Sequence, residues 1–412
     1  MKYGCIGEKL GHSFSKDIHS RFAPYEYELL ELKPDEVGAF LEKKDFAGIN
    51  VTIPYKETVI PYLDEISDEA RQIGAVNTIV NRGGRLCGFN TDFFGMRCLL
   101  RKNGFSLKEK KVLILGTGGT SKTARALAFA EGARDVLRVS RTAREGAVSY
   151  EKAYSEHADA DFLINTTPCG MFPNAGISPV DLEGFPRLSG VLDAIYNPLK
   201  TRLFQEARKR GVPAACGLYM LVAQAVRAAE IFLDRPFPEE VIARVTEEIR
   251  KEKQNLVLIG MPASGKSTLG KLAAERLGRP FFDSDEEIVK EAGKTIPEIF
   301  RDEGEKGFRD REEKMIRALS ARQGIVLATG GGAVLREENR RCLSSNGKII
   351  FLLRPLSFLE ATSDRPLSSN RSDLERRFRE RDGVYRAFAD CIFPAGEDKN
   401  KNADAIVKEF LK

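Results

Sequence analysis

The sequence predicts an α/β protein in which two nucleotide-binding units follow one another along the chain. Two short apolar runs each end in a glycine-rich turn and lead into a helical pattern. The first is Lys111–Leu115 with the turn Gly116–Gly119, and the second is Asn255–Ile259 with the turn Gly260–Gly265. Such runs are typical of parallel strands buried on both faces. Strand, glycine turn and helix together open nucleotide-binding α/β domains.

Length and composition limit the class of protein. A chain of 412 residues predicts two or three domains. Hydrophobic residues make up 42% and charged residues 30%, as in globular proteins. The net charge of +5 is mild and no basic stripe is present, which argues against nucleic acid as a partner.

Features that the sequence lacks indicate the cellular location of the protein and the kinds of site it can carry. No run of 18 apolar residues predicts a membrane span, and the first residues fit a strand better than a signal peptide. Seven scattered cysteines and three histidines favour reduced thiols and a cytoplasmic location, without disulfides or a histidine metal site.

The join between the two units is predicted to be short. Apolar residues at helical spacing predict a helix over Pro238–Lys251, and the second unit's first strand is expected near Asn255. About four residues would then connect them, which span roughly 13 Å at full extension.

The turn at Gly260 carries the stronger of the two nucleotide signals. Gly260–Ser267 fits the pattern G-x-x-x-x-G-K-S in full, after a strand and before a helix. Its backbone N–H groups are expected to hold phosphates, Lys266 to bind the transferred phosphate, and Ser267 to bind Mg²⁺. The predicted ATP-binding residues of this loop are Gly260, Ser264, Gly265, Lys266, Ser267 and Thr268.

Two carboxylates follow in the segment Phe281–Asp285, which looks like the end of a second strand. With a strand period of two, Asp283 and Asp285 would lie on one side of it. We expect Asp283 to reach the Mg²⁺ shell and Asp285 to orient or deprotonate an acceptor hydroxyl group.

Residues 254–412 resemble shikimate kinases. The motifs that carry the resemblance, after the P-loop and the two carboxylates, are Glu305–Arg309, Thr329–Ala333, Asp364–Leu367 and Arg381–Tyr385. The resemblance implies that Asp285, Arg309, Gly331 and Arg381 bind shikimate, and that Arg365 closes over ATP. One departure is Gly383, where the family commonly has proline.

The turn at Gly116 is a variant of the dinucleotide-binding turn, with predicted contacts from Gly116, Gly118, Gly119 and Ser121. About 20 residues further on, NAD enzymes place an acid on the ribose. The residues here that we expect to contact the cofactor are Ser140, Arg141, Thr142 and Arg144. Arginine without a carboxylate favours the 2′-phosphate of NADP.

Residues 1 to about 250 resemble shikimate dehydrogenases. The motifs are Gly11–Ser15, Asn50–Glu57, Gly74–Thr78, Asn90–Asp92, Asn165–Pro168, Asp193–Pro198 and Gly217–Gln224. The resemblance implies that Ser13 and Ser15 bind the substrate carboxylate. It implies ring-hydroxyl contacts from Thr52, Asn77, Asp92 and Gln224, with Tyr196 nearby. It also makes Lys56 and Asp92 the catalytic pair, which suits a reaction whose alkoxide must take a proton.

The two resemblances together imply four segments. These are a substrate-binding domain over 1–100, a Rossmann-type NADP domain over 101–217, closing dehydrogenase helices over 218–251, and a P-loop kinase over 254–412. The chain would reduce 3-dehydroshikimate with NADPH and phosphorylate shikimate with ATP and Mg²⁺, in the pathway to chorismate and the aromatic amino acids.

Three alternatives stay open at this point. The first half could be a quinate/shikimate dehydrogenase that uses NAD, one half could be a binding module without chemistry, and the kinase could act on another sugar acid. An oligomer is compatible with the sequence.

Overall fold

The computed structural model describes residues 2–11, 13–142, 146–355 and 371–412. The chain divides into two compact units, Met1–Arg250 and Lys251–Lys412. No helix among the described residues combines the length and the apolarity needed to cross a membrane.

The first unit is built on two sheets. Its strands are β1 (Tyr3–Gly7), β2 (Glu28–Glu31), β3 (Gly48–Val51), β4 (Glu65–Ile66), β5 (Thr78–Arg82), β6 (Arg85–Phe89), β7 (Lys111–Leu115), β8 (Asp135–Ser140), β9 (Ala147–Ser149), β10 (Phe162–Asn165), β11 (Gly190–Asp193) and β12 (Ala214–Cys216). Its helices are α1 (Ser15–Ser20), α2 (Val37–Lys43), α3 (Asp68–Ile73), α4 (Thr91–Lys102), α5 (Gly119–Ala130), α6 (Tyr150–Glu156), α7 (Arg202–Lys209), α8 (Leu218–Leu233) and α9 (Glu240–Lys253).

The first sheet is mixed, with the strand order β2-β1-β3-β5-β6-β4. Strand β1 runs parallel to β2 and β3, whereas β5 runs antiparallel to both β3 and β6. All residues of β3 are buried, and Ile49 packs with Ile6 and Ile79 in the core of this sheet. The loop that leaves β3 therefore starts from a rigid, buried strand end.

The second sheet is parallel throughout, with the order β12-β11-β10-β7-β8-β9. Strand β7 is buried along its whole length, as its unbroken apolar run predicts. The strand order changes direction at β7, and parallel α/β sheets bind ligands at such a point, beyond the carboxyl ends of the strands. The Rossmann-type fold predicted for this part of the chain is confirmed.

The ends of β10 and β11 are joined by a buried carboxylate. Asp193 accepts hydrogen bonds from Asn165 Nδ2 at 3.0 Å, from the Ile195 backbone N–H at 3.1 Å and from Thr201 Oγ1 at 2.7 Å. Burial raises the pKa of the Asp193 carboxyl to about 6, although the three donors oppose the shift.

The second unit surrounds one parallel sheet, in the order β14-β15-β13-β16-β17. Its strands are β13 (Asn255–Ile259), β14 (Phe281–Asp283), β15 (Val326–Ala328), β16 (Gly347–Leu353) and β17 (Cys391–Pro394). Its helices are α10 (Lys266–Leu277), α11 (Ser284–Ala292), α12 (Ile296–Ser320), α13 (Glu337–Asn346), α14 (Arg371–Phe388) and α15 (Lys399–Leu411). The parallel sheet predicted for the kinase is confirmed.

The prediction for the join was wrong at both ends of the helix. Helix α9 begins at Glu240 and continues to Lys253, so only Gln254 separates it from β13, instead of about four residues. The helix continues because no glycine or proline occurs between Pro238 and Gly260.

The pair of acids after Phe282 also differs from the prediction. The strand ends at Asp283, and Asp285 belongs to the first turn of α11, so the two carboxylates do not lie on one side of a strand. Asp283 is the N-cap of this helix, and its Oδ1 accepts the backbone N–H of Asp285 at 2.9 Å. Aspartate is a favoured cap, and the acidic first turn suits the helix dipole.

Candidate active sites

The predicted catalytic pair of the first unit is a close ion pair. Lys56 lies in the loop after β3, and Asp92 lies in the first turn of α4, which Asn90 caps through the backbone N–H of Phe93. Lys56 Nζ is 2.5 Å from Asp92 Oδ2, and the two side chains are 12% and 8% exposed. The same Nζ is 3.5 Å from Thr120 Oγ1 at the start of α5. An ammonium donor thus lies beside the glycine-rich turn.

Two predicted substrate-binding residues meet close to this pair. Asn77 Nδ2 lies 3.5 Å from Gln224 Oε1 and donates to Thr91 Oγ1 at 3.0 Å. Asn77 Oδ1 accepts the backbone N–H of Thr91, the residue before Asp92, at 2.7 Å. Thr91 joins Asn77 and Gln224 in one hydrogen-bond network directly before Asp92 in the sequence, and sequence reasoning missed it. The tripeptide Asn90–Asp92 was the available signal, but it drew attention only to its carboxylate.

A second buried layer fixes the orientation of Asn77. Tyr27 donates its hydroxyl to Asn50 Oδ1 at 2.6 Å, and Asn50 Nδ2 donates to Thr78 Oγ1 at 3.1 Å. Thr78 Oγ1 in turn donates to Asn77 Oδ1 at 3.1 Å. Because both ends of a buried amide need hydrogen-bond partners, this series of hydrogen bonds allows one orientation of the Asn77 side chain.

The residues predicted to bind the substrate carboxylate form a small hydroxyl cluster. Ser13 Oγ donates to Ser15 Oγ at 3.1 Å and accepts the backbone N–H of Ser15 at 3.2 Å. Tyr196 hydrogen-bonds Ser13, and burial raises the pKa of the Tyr196 phenol to about 12, so it is a neutral hydroxyl. Thr52 lies in the loop after β3, and its backbone N–H donates a hydrogen bond to the Ile6 carbonyl at 3.0 Å.

The buried thiol of Cys5 and the buried imidazole of His19 are uncharged groups. Burial raises the pKa of the Cys5 thiol to about 12 and lowers that of His19 to about 3, so both stay neutral near neutral pH. His19 stacks on Tyr27, with ring centroids 3.9 Å apart, and its Nδ1 hydrogen-bonds Tyr25.

The glycine turn after β7 is shaped for close approach of a dinucleotide. Gly116 has φ +110°, and a Cβ there would lie 2.8 Å from Thr166 Oγ1. A Cβ on Gly119 would lie 3.2 Å from Lys56 Cβ, so this glycine brings α5 against Lys56. Gly118 begins α5 without a side-chain cap, which leaves the helix N-terminus suited to a pyrophosphate.

Ser121 occupies the position at which the dinucleotide-binding pattern has its third glycine. Ser121 is 1% exposed, and its Oγ donates to the Gly116 carbonyl at 2.7 Å. The hydroxyl is used inside the turn, where it holds the conformation of Gly116.

The residues predicted to choose between NADP and NAD lie at the end of β8. Gly116 N–H donates to the Val139 carbonyl at 2.9 Å, so Ser140–Thr142 follow directly beside the glycine turn. Arg141 is exposed, and Ser140 Oγ accepts the backbone N–H of Thr142 at 3.3 Å. Arg144 lies outside the described residues.

In the second unit, the P-loop ends where α10 begins. Gly265 has φ +92° and is the N-cap of α10 without a side-chain cap. Lys266 Nζ donates to the carbonyls of Gly260 at 2.9 Å and Met261 at 2.8 Å, and it is 3.5 Å from Ser264 Oγ. The strand, loop and helix follow one another as the motif predicts, and the Lys266 ammonium lies against the carbonyls of its own loop.

A cavity of about 310 Å³ opens beside this loop. On one side it is lined by Ala263–Leu269, which include the end of the P-loop. The rest of the lining comes from acids, strand-end residues and residues near the C-terminus. These are Asp283, Asp285, Thr329, Gly331, Arg354, Ala395, Gly396, Glu397, Lys399 and Asn402. Thr268 is in the first turn of α10 and lines the cavity with Lys266. Arg354, at the end of β16, gave no motif signal in the sequence.

The residues predicted to bind the metal are brought together in this cavity. Ser267 Oγ donates to Asp283 Oδ2 at 2.5 Å. No cluster of three or more metal-binding side chains occurs among the described residues. One hydroxyl and one carboxylate nevertheless fit Mg²⁺, because this ion keeps several waters and takes further oxygens from nucleotide phosphates.

The predicted acceptor-binding residues lie around the glycines Gly330–Gly332. A Cβ on Gly330 would lie 2.5 Å from Asp285 Oδ1, and one on Gly332 would lie 2.4 Å from Arg309 Nη1. A side chain at either glycine would therefore displace the Asp285 carboxylate or the Arg309 guanidinium from its present position. Helix α12 has a non-helical residue, Gly304, shortly before Arg309.

Arg309 is held by a carboxylate that sequence reasoning missed. Its Nη1 donates to Glu312 Oε2 at 2.8 Å, and its Nη2 donates to Glu305 at 3.3 Å. Glu312 is 1% exposed; burial raises the pKa of its carboxyl, and Arg309 and Arg381 oppose the shift. Glu312 is three residues after Arg309 on one helix, and this spacing was the available signal.

Arg381 and Gly331 belong to the same region. Arg381 is 5% exposed on α14, one turn before Tyr385, whose hydroxyl donates to the Gly331 carbonyl. The predicted lid residue Arg365 lies outside the described residues.

These two sites define the class of protein, a dinucleotide-dependent oxidoreductase joined to a P-loop phosphotransferase. Residues 5–79 match the family model for the shikimate dehydrogenase substrate-binding domain, and residues 262–412 match that for shikimate kinase. The chain belongs to the shikimate dehydrogenase family and carries a shikimate kinase domain after the dehydrogenase.

Individual relatives match the first part of the chain. The NADP(+)-dependent shikimate dehydrogenase of Clostridium beijerinckii is 36% identical over 245 residues, which are 56% of this chain and 91% of the relative. The crystal structure of shikimate dehydrogenase 1 from Peptoclostridium difficile has a TM-score of 0.57 at 34% identity, covering 60% of this chain and 98% of that one. A Thermus thermophilus shikimate 5-dehydrogenase, solved with NADP(H) and shikimate, has a TM-score of 0.55 at 29% identity, covering 60% and 99%.

Proposed function

We propose that this chain catalyses two successive reactions, the reduction of 3-dehydroshikimate to shikimate with NADPH and the phosphorylation of shikimate to shikimate 3-phosphate with ATP. The observation that carries the first reaction is the Lys56–Asp92 pair at 2.5 Å beside the glycine turn. The observation that carries the second reaction is a complete P-loop whose Ser267 hydrogen-bonds Asp283.

In the first reaction, bound NADPH supplies a hydride to the carbonyl carbon of the substrate. The oxygen of that carbonyl must gain a proton, and Lys56 Nζ is the donor that the site offers. Asp92 holds the ammonium in place until transfer, because its carboxylate is 2.5 Å away and only 8% exposed. The proton of Lys56 is afterwards replaced from solvent.

The hydroxyl and amide groups around this pair hold the substrate. Ser13 and Ser15 are proposed to bind its carboxylate, while Asn77 and Gln224 bind ring hydroxyls. The buried hydrogen bonds from Tyr27 through Asn50 and Thr78 orient Asn77 before the substrate arrives. Such preorganisation contributes to rate because the site does not have to rearrange.

In the second reaction, bound MgATP supplies the phosphoryl group. Ser267 and Asp283 provide the protein oxygens for Mg²⁺, and the P-loop N–H groups with Lys266 hold the phosphates. Asp285 lines the same cavity and is proposed to accept the proton of the attacking hydroxyl group. Arg309 and Arg381 are proposed to pair with the carboxylate of shikimate.

We assign NADP as the preferred cofactor because Arg141 follows β8 beside the glycine turn and the sequence Val139–Arg144 contains no acid. A quinate/shikimate dehydrogenase using NAD is the second candidate, and an acid at this position would have favoured it. The proposal includes a cytoplasmic location, where NADPH, ATP and small-molecule substrates are available.

Separate assays of the purified full chain test the proposal. NADPH oxidation with 3-dehydroshikimate reports the first activity, and ADP release with shikimate, ATP and Mg²⁺ reports the second. Quinate with NAD, and shikimate replaced by other sugar acids, serve as comparison substrates. The proposal fails for a half whose reaction is absent in the folded chain, and that half is a binding module only if the comparison substrates give no turnover either.

A further inference from the structure

The nucleotide cavity has an end that the P-loop does not form. The P-loop holds phosphates, so the ribose and base must extend toward the remaining lining. Half of that lining comes from one segment between β17 and the first turns of α15, namely Ala395, Gly396, Glu397, Lys399 and Asn402. The conformation of this short segment therefore shapes the base end of the cavity.

Asn402 holds the middle of this segment with both ends of its amide. Its Nδ2 donates to the Gly396 carbonyl at 2.8 Å, and its Oδ1 accepts the Gly396 N–H at 3.1 Å. The side chain is 9% exposed, so water competes little for these groups. To satisfy both backbone groups of Gly396, a side chain must offer a donor and an acceptor. Asparagine offers both, whereas ionised aspartate offers only acceptors and leucine offers neither.

The segment is also tied to the rest of the site at both sides. The Ala395 N–H donates to the Leu353 carbonyl at the end of β16, at 3.0 Å. On the other side, Arg276 of the P-loop helix α10 contacts α15 through Asp404 at 2.5 Å and Asn400 Oδ1 at 3.0 Å. The helix that carries Asn402 is thus connected to the helix that begins at Lys266.

We propose that Asn402 is a positioning residue for the nucleotide base, which sets the shape of the Ala395–Glu397 segment and with it the preference for adenine. This inference rests on the proposed kinase function. Because Asn402 bonds both backbone groups of Gly396, it fixes the backbone between Ala395 and Glu397, and both of these residues line the cavity. Asn402 acts through Gly396 and not on the phosphates or on shikimate.

The test uses two variants of the full chain, Asn402→Asp and Asn402→Leu. The first keeps the size and the acceptor but places a carboxylate oxygen against the Gly396 carbonyl, and the second removes both hydrogen bonds. We expect KM for ATP to rise about 10-fold or more in each, as for the loss of one or two hydrogen bonds. The rate at saturating ATP and the KM for shikimate should stay within about twofold.

Base preference and direct binding give two further readouts. The ratio of kcat/KM for ATP over GTP should fall in both variants, and the Kd of a fluorescent ATP analogue should rise by the same factor as KM. Lys401→Ala is the matched control, because it is the preceding residue on α15, is exposed and does not line the cavity. It should leave all of these values unchanged.

The outcomes separate this inference from the function on which it rests. If the unaltered chain does not phosphorylate shikimate, the proposed function fails, while analogue binding still tests Asn402. If the chain is active and the folded variants bind ATP and GTP as the unaltered chain does, the inference is wrong. A loss of kcat with unchanged KM for ATP would also overturn it. If Asn402→Leu does not fold, Asn402→Asp decides.

Discussion

Replacing Lys56 with methionine should abolish most ketone reduction and leave the kinase intact. Methionine keeps much of the apolar stem and removes the ammonium that lies 2.5 Å from Asp92. The loss of a positioned general acid lowers rates by about 10²–10⁴, which corresponds to roughly 2.7–5.5 kcal/mol of transition-state stabilisation.

The same substitution has a cost in stability that the geometry predicts. Asp92 is 8% exposed and would be left without its cation. Removing one partner of a buried pair costs about 3–5 kcal/mol, and the residual solvent access of this pair places it toward the lower end. The double variant Lys56→Met with Asp92→Asn should recover part of that stability but none of the rate.

The assays are NADPH oxidation under single-turnover conditions and urea unfolding followed by fluorescence. Lys122→Ala is the matched control, since Lys122 is another lysine of the first unit that pairs with an acid, Glu57, but is 31% exposed. It should change the rate by less than about twofold. Ketone reduction that survives in folded Lys56→Met at more than a tenth of the original rate would refute the assignment of Lys56 as the proton donor.

Three further substitutions test other parts of the account. Lys266→Ala should lower the kinase rate by several orders of magnitude while ketone reduction stays within about twofold, measured as ADP release and NADPH oxidation; loss of both would contradict two separate sites. Arg141→Ala should weaken NADPH binding about 10- to 150-fold more than NADH binding, by fluorescence titration, and equal effects would exclude a 2′-phosphate contact. Asp193 binds a proton more readily in the folded than in the unfolded state, because burial raises its pKa from 3.8 to about 6. Its contribution to the free energy of unfolding should therefore increase as pH falls through that interval, by up to about 3 kcal/mol relative to Asp193→Asn, and a difference independent of pH would refute the shift.

Sequence patterns predicted those parts of the sites where local chemistry decides the structure. The apolar strands at Lys111 and Asn255 and the glycine turns after them are local features, and the structure has them as expected. The approach of Lys56 to Asp92 joins a loop to the first turn of a helix 36 residues later, and only the family resemblance suggested it.

Two predictions of element boundaries failed, each for a different physical reason. A strand period over Phe281–Asp285 was a reasonable expectation, but Asp283 caps a helix instead, since its side chain bonds the backbone N–H of Asp285. The helix before β13 extended to Lys253 because nothing in the sequence breaks it.

Glu312 and Asn402 could not be found from motifs because their roles depend on contacts. Glu312 lies within a strongly charged helix, where its spacing from Arg309 was a signal too common to single it out, and its burial against Arg309 distinguishes it from the exposed acids around it. Asn402 lies among polar residues near the C-terminus, and its significance depends on the two hydrogen bonds to Gly396.

The most direct test of the central claim follows both reactions in one vessel. Purified full-length chain is given 3-dehydroshikimate, NADPH, ATP and Mg²⁺, without added shikimate, and NADP⁺ and ADP are counted together with the phosphorylated product. The account predicts ADP release that depends on NADPH and that reaches one ADP for each NADPH oxidised once the reaction is complete. ADP release that ignores NADPH, or NADPH oxidation that yields shikimate without any phosphorylated product, would contradict it.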